Sequence, residues 1–307
     1  MNSPGEFPTD YQPRLVEGSV LLAVRGREEE EEFWRQRDRL YEIADPDQQE
    51  ARFHAFNAAW FERLGLDRPI RQALTEQPLI VENTSLCVVS SARSRKDEGA
   101  DLYVSPPHIG GRSVGICLGP ERFADAGRLL QFLRHELLHV ADMLDPCFNY
   151  SPHLPLSSAG PTHDQLLKNR YRALWNAYVD GRLLRRGLIP TEVRAERFAE
   201  FAAAFSMLGE RTAEAFERFF EGDGLTHDEL FAFATNPGRA LGRQREGPYP
   251  GERCSLCGFP THAFESEPLS PALQRRIRES FPEWVPVDGL CRQCAELYRS
   301  RSPESVR

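Results

Sequence analysis

Gln131-Phe132-Leu133-Arg134-His135-Glu136-Leu137-Leu138-His139-Val140-Ala141-Asp142-Met143-Leu144 is the stretch around which the rest of the chain is arranged. Positions four apart on a helix stand one above the other, so His135 and His139 would present two imidazoles to one point. Glu136 follows the first histidine, where its carboxylate could reach a water beside that point but not the point itself. Two nitrogen ligands and a base on one helical turn form the pattern of a zinc hydrolase, with His135 and His139 as metal ligands and Glu136 as general base. The local sequence supplies the helix. From Asp125 to Leu144 there is no Pro, and Leu129, Leu130, Leu133, Leu137, Val140, Met143 and Leu144 recur at helical spacing. Pro146 ends it.

Upstream, residues 78–120 read as strands: Leu79-Ile80-Val81, Leu86-Cys87-Val88-Val89, Asp101-Leu102-Tyr103-Val104 and Ser113-Val114-Gly115-Ile116-Cys117-Leu118, with a turn at Pro106–Gly111. The 113–118 run precedes the motif helix and is the candidate to hold an extended substrate by backbone pairing. Residues 29–77 read as helical, opening on the acidic run Glu28–Glu32, and Phe53, Phe56, Ala59, Trp60 and Leu64 form a packing stripe. Residues 1–28, rich in Pro, Gly and polar groups, read as a tail.

Downstream, residues 162–235 read as helical. Ala173, Ala177 and Gly181 form a small-residue strip, which predicts close approach of another element. A helix beginning at Pro190 carries Phe198, Phe201, Ala202, Phe205 and Leu208 on one face and Ala199, Ala203 and Met207 on the other, which predicts a buried helix. A carboxylate on such a helix needs a cation or a partner. A catalytic zinc takes three protein ligands, and Glu196 and Glu200 are the leading candidates for the third. Asp180 comes next, with His153 and His163 behind it. Asp142 is a candidate to orient a ligand histidine.

Beyond a Gly-, Pro- and Arg-rich linker at 236–252, residues 253–300 hold Cys254-Ser-Leu-Cys257-Gly258 and Cys291-Arg-Gln-Cys294. Two Cys-x-x-Cys pairs predict a tetrathiolate zinc site through Cys254, Cys257, Cys291 and Cys294. Four thiolates leave no open position, so that zinc is structural, and the module is suited to docking a protein partner or the catalytic domain. Of the seven cysteines, Cys87 and Cys117 read as plain core residues.

The bounds agree. A chain of 307 residues with 40% hydrophobic content allows one large domain and a small one. The net charge of -8 argues against nucleic acid as a partner. No run reaches the ~20 apolar residues of a membrane span, and the N-terminus lacks the pattern of a signal peptide, so the expectation is a soluble, cytoplasmic protein. The fold class expected is α+β: a zincin-like domain over 29–235, with helices and a small mixed sheet packed on the motif helix of 125–145, and a zinc-ribbon-like module.

His135-Glu136-x-x-His139-x-x-Asp142-Met143-Leu144, a helix carrying Trp175, and Ala195-Glu196-x-Phe198-Ala199-Glu200 together resemble the gluzincin peptidases, in particular the Mlc titration factor family and the catalytic domain of anthrax lethal factor. The resemblance covers roughly residues 100–210. It implies peptide-bond hydrolysis of a peptide or protein substrate, and it puts the third zinc ligand on Glu196, or on Glu200 if the register slides by four. It implies a catalytic zinc ion, which with the structural zinc read from the cysteine pairs makes two. Two other readings stay open: a non-catalytic zincin-fold protein that docks a partner through the ribbon, and a SprT-like DNA-associated protease using His153 or His163.

Overall fold

A computed structural model of the chain describes residues 7–104, 111–152, 161–237, 248, 251–282 and 284–300, with 161–163 in backbone only. The chain divides into two compact units, Met1–Thr235 and Asn236–Arg307. Both helices and strands are present, so the class is α+β.

In the first unit, strands β1 (Thr9–Tyr11), β2 (Leu86–Ser91), β3 (Gly99–Val104) and β4 (Arg112–Leu118) form one sheet in the order β1-β2-β4-β3. β1 and β4 run parallel to β2, whereas β3 runs antiparallel to β4. The period-2 pattern of β4 buries Val114, Ile116 and Leu118 on one face. Gly115, on the other face, leaves room for the Tyr103 ring, whose Cε2 would lie 2.2 Å from an added Cβ. Cys87 is fully buried in β2, and burial pushes its thiol up to about 12, which fits an inert core residue.

The helices are α1 (Pro13–Ala23), α2 (Glu30–Asp38), α3 (Pro46–Arg63), α4 (Arg68–Thr75), α5 (Pro78–Asn83), α6 (Ala126–Leu144), α7 (Pro161–Arg185), α8 (Val193–Ala204), α9 (Thr212–Phe220) and α10 (His227–Thr235). The motif helix is α6. Asp125 caps it by accepting from the Arg128 N–H at 3.0 Å. It packs on β3, α4 and α7, burying Leu129, Leu133, Leu137 and Val140. Gly181 in α7 sits where an added Cβ would lie 1.8 Å from the Phe220 carbonyl oxygen, so the predicted close approach is made by α9.

Four expectations are corrected. Residues 9–23 are not a tail: Leu15, Val16 and Val20 are core residues of α1, and Pro13 occupies the helix start, where its missing N–H costs nothing. Leu79-Ile80-Val81 lie in α5, because Pro78 starts a helical turn that overrides the β-branched run. The 113–118 strand cannot accept a substrate backbone, since β4 is paired on both sides, and the edge facing α6 is β3. Finally, α8 buries only Val193 and Phe201; Phe198 is 38% exposed, and its alanines bring too little apolar area to demand burial. The predicted turn at 106–111 and linker at 236–252 lie largely outside the described residues.

The second unit has its own small core: Leu273, Ile277, Trp284, Leu290, Ala295 and Tyr298, together with Cys254, Cys291 and Cys294. It holds the helices Pro271–Ser280 and Arg292–Ser300, the first capped by Ser270. No helix among the described residues is long and apolar enough to cross a membrane.

Candidate metal centre and cleft

α6 turns both motif histidines toward one point. His135 Nε2 and His139 Nε2 lie 3.3 Å apart. Two nitrogens bound tetrahedrally to one zinc at ~2.05 Å would be separated by about 3.3 Å, so the pair has the spacing of two ligands. His135 Nδ1 lies 2.7 Å from Asp180 Oδ1 on α7. A carboxylate only accepts, so Nδ1 carries the hydrogen and Nε2 is left with a free lone pair. Asp180 thus holds the outer face of the ring. Asp142 instead takes two bonds from Arg182, at 2.8 and 2.5 Å, and one from Trp175 Nε1 at 2.7 Å. It ties α6 to α7 and orients no histidine. Burial pushes the Asp142 carboxyl up, against the pull of Arg182.

His139 faces Asn176 as well: its Nε2 is 3.1 Å from Asn176 Oδ1. Asn176 Nδ2 donates to Glu200 Oε1 at 2.9 Å, and Arg197 pairs with Glu200 Oε2. Arg197 Nε also stands 2.9 Å from Asp180 Oδ2, an ion pair without a well-directed hydrogen bond. The six side chains therefore close a ring: His135, Asp180, Arg197, Glu200, Asn176, His139 and back to His135. α6, α7 and α8 each supply two of them, one turn apart. The ring locks both imidazoles. The His139 ring also meets Trp175 edge-on, with centroids 4.5 Å apart. Burial, then the neighbouring His135, holds the His139 pKa well below its ordinary value, so the ring is neutral.

Glu136 sits beside this pair. Its Oε2 accepts from the Ala100 N–H of β3 at 3.2 Å, so the free edge of β3 faces the motif. Gly99 permits that approach; an added Cβ would lie 3.1 Å from Glu136 Oε2. Burial raises the Glu136 pKa, although His135 and the Ala100 N–H act the other way. A cleft of about 1190 Å³ opens over these residues, walled by Glu98, Asp101, Tyr150, Lys168, Arg172 and Glu196 among others. Tyr150 stacks on Trp175 at 5.4 Å. The hydroxyls of Tyr171 and Tyr178 are engaged elsewhere, with His227 Nδ1 at 2.7 Å and the Leu225 N–H at 3.1 Å.

His135, Glu136 and His139 are thus together, while Glu196 is exposed on the cleft wall. Among the described residues, the only set of three or more His, Cys, Asp or Glu ligand atoms within 4.8 Å of one another is Cys254, Cys257, Cys291 and Cys294. Glu196 does not join the two histidines in such a set. Glu200 is turned to Arg197 and Asn176. His153 and the His163 side chain lie outside the described residues. Sequence reasoning missed Asn176, whose one signal was its place a turn before Asp180.

The four cysteines could hold one zinc ion. Cys254 Sγ and Cys294 Sγ are 3.8 Å apart, and Cys257 Sγ and Cys291 Sγ 3.9 Å. Thiolates at ~2.3 Å from one tetrahedral zinc would be about 3.8 Å apart, far beyond a disulfide. Burial opposes the Cys254 thiolate, but N–H groups of Cys257, Cys291 and Leu256 outweigh it and hold the thiol at about 7. Gly258, at φ 72°, lets the knuckle close on Cys254.

No protein-family model matches the chain, and no curated protein or solved structure matches it.

Proposed function

We propose that the first unit is a zinc-dependent peptide-bond hydrolase with Glu136 as its base. The observation that carries the reading is the 3.3 Å approach of His135 Nε2 and His139 Nε2 beside Glu136, inside a cleft bordered by a free strand edge. A zinc ion bound there would supply Lewis acidity toward a substrate carbonyl and acidify a water. The chain's own groups then have defined tasks. Asp180 keeps the His135 lone pair aimed inward. Glu136, its pKa raised by burial, is suited to take a proton from water and return it to the leaving amine. β3 can pair with an extended peptide along its open edge. In the second unit a structural zinc would staple a module suited to docking a protein.

The test is cleavage of casein or a peptide library by the parent and by Glu136→Gln, with zinc content measured in both. The parent is expected to cleave, and the variant to lose activity by about 10²–10⁴-fold while keeping its metal. Unchanged cleavage in the variant would end the hydrolase reading. One observation favours the second reading, a non-catalytic zincin-fold interaction protein: among the described residues no carboxylate joins the two histidines as a third ligand, and the group beside His139 is the Asn176 amide. Zinc bound at the histidines without any cleavage would select it.

A further inference from the structure

We infer that the third protein contact to a metal at His135 and His139 is the amide oxygen of Asn176, which makes this a charge-neutral donor set; the inference rests on the zinc-site reading above.

Hydrogen-bond polarity leads to it. The Asp180 carboxylate can only accept, so His135 keeps its hydrogen on Nδ1 and offers a lone pair at Nε2. The Glu200 carboxylate also only accepts, so the Asn176 NH₂ group faces Glu200 and its Oδ1 faces His139. His139 Nε2 therefore meets two acceptors, His135 Nε2 at 3.3 Å and Asn176 Oδ1 at 3.1 Å. It must be the donor, sharing one hydrogen between them. A cation at Nε2 selects the other neutral tautomer, with the His139 hydrogen on Nδ1, so that the lone pairs of His135 Nε2, His139 Nε2 and Asn176 Oδ1 adjoin along two contacts that share His139. Both separations are close to the ~3.3–3.4 Å edge of a tetrahedron with zinc bonds of 2.0–2.1 Å. Among the described residues no carboxylate joins the two histidines: Glu196 is exposed on the cleft wall, and Glu200 is occupied in fixing the amide.

The consequence is weak, tunable metal affinity. Two imidazoles and an amide bring no negative charge, unlike two imidazoles and a glutamate. Replacing Asn176 by Asp would add that charge at the same position. It would also set two carboxylates face to face, since Asn176 Nδ2 is 2.9 Å from Glu200 Oε1, and a bound metal ion would relieve a repulsion that Arg197, on the far oxygen of Glu200, leaves in place.

The experiment is a zinc and cobalt(II) titration of the full chain against a chromophoric chelator, after the tetrathiolate site has been filled, with His139→Ala as the blank. The parent is expected to take a second equivalent that His139→Ala does not. Asn176→Asp should bind it at least about tenfold more tightly, Asn176→Ala about tenfold more weakly, and Glu196→Gln within twofold of the parent. Melting temperatures provide an independent reading: Asn176→Asp should melt lower than the parent without the second zinc and gain more from it. Full affinity in Asn176→Ala, or loss of the second zinc in Glu196→Gln, would overturn the amide assignment and leave the zinc reading standing. No second equivalent in any variant, Asn176→Asp included, would overturn both.

Discussion

Asp180 decides which nitrogen of His135 faces the cleft. Its carboxylate lies 2.7 Å from Nδ1 and is buried between α7 and α8, where Arg197 balances its charge. Removing it frees the ring to turn and to change tautomer. Asp180→Ala is therefore expected to weaken metal binding at the histidines by about 10–100-fold without changing zinc binding by the cysteines, as read by metal competition. At this scale the sequence was partly transparent. His135, Glu136 and His139 could be read because one helical turn places all three, and the cysteine pairs because their spacing is itself the geometry. Asp180 was visible as a candidate ligand, but its orienting task depends on where α7 crosses α6. Asn176 was invisible for the same reason: an amide carries no motif, and its meaning comes from Glu200 on a third helix.

Three helices, each giving two residues a turn apart, form the ring, so the site depends on how α6, α7 and α8 pack. The small-residue strip on α7 is part of that packing. Gly181→Ala would drive a methyl group into the Phe220 carbonyl, with 1.8 Å available. We expect a loss of about 2–3 kcal/mol, roughly 5–10 °C in Tm by scanning calorimetry, because neither backbone can yield without moving α9. Here the sequence was a good guide: Ala173, Ala177 and Gly181 pointed to a close neighbour. It misled at α5 and α1. Leu79-Ile80-Val81 looks like a strand until Pro78 is read as a helix start. The helix after Pro13 was hidden by the loop-forming residues around it. The all-round apolar look of α8 came from alanines, which tolerate water.

At the scale of the molecule, the two units are expected to answer differently to pH and to loss of the cysteine-bound metal. His227, buried against Tyr171, and His139 both have pKa values lowered by burial. In the unfolded chain each takes a proton near pH 6.5, before the folded form does. Their contribution to stability is thus complete above about pH 6.5 and is lost as the pH falls below it toward the folded values. Urea midpoints of the first unit should drop between about pH 7.5 and 5.5, and His227→Gln should flatten the profile. The second unit answers to chelation instead. Its buried core is nine residues, three of them cysteines, too few to hold such a module without a staple. Stripping zinc should expose sites within 251–300 to limited proteolysis while the helices α3, α6 and α7 of the first unit stay resistant.

The open border of β3 has a second consequence. The outer N–H groups of Ala100 and Leu102 are held only by side chains, those of Glu136 and Asp101, and a border that no strand pairs cannot tell a peptide from a neighbouring copy of the same chain, so crowded molecules would begin to stack there. Asp101 stands exposed in the middle of it, a negative charge that a second identical strand would have to bring against its own. On that account the carboxylate is expected to disfavour such stacking, and a partner with a basic side chain at the matching position would be admitted where a twin is turned away.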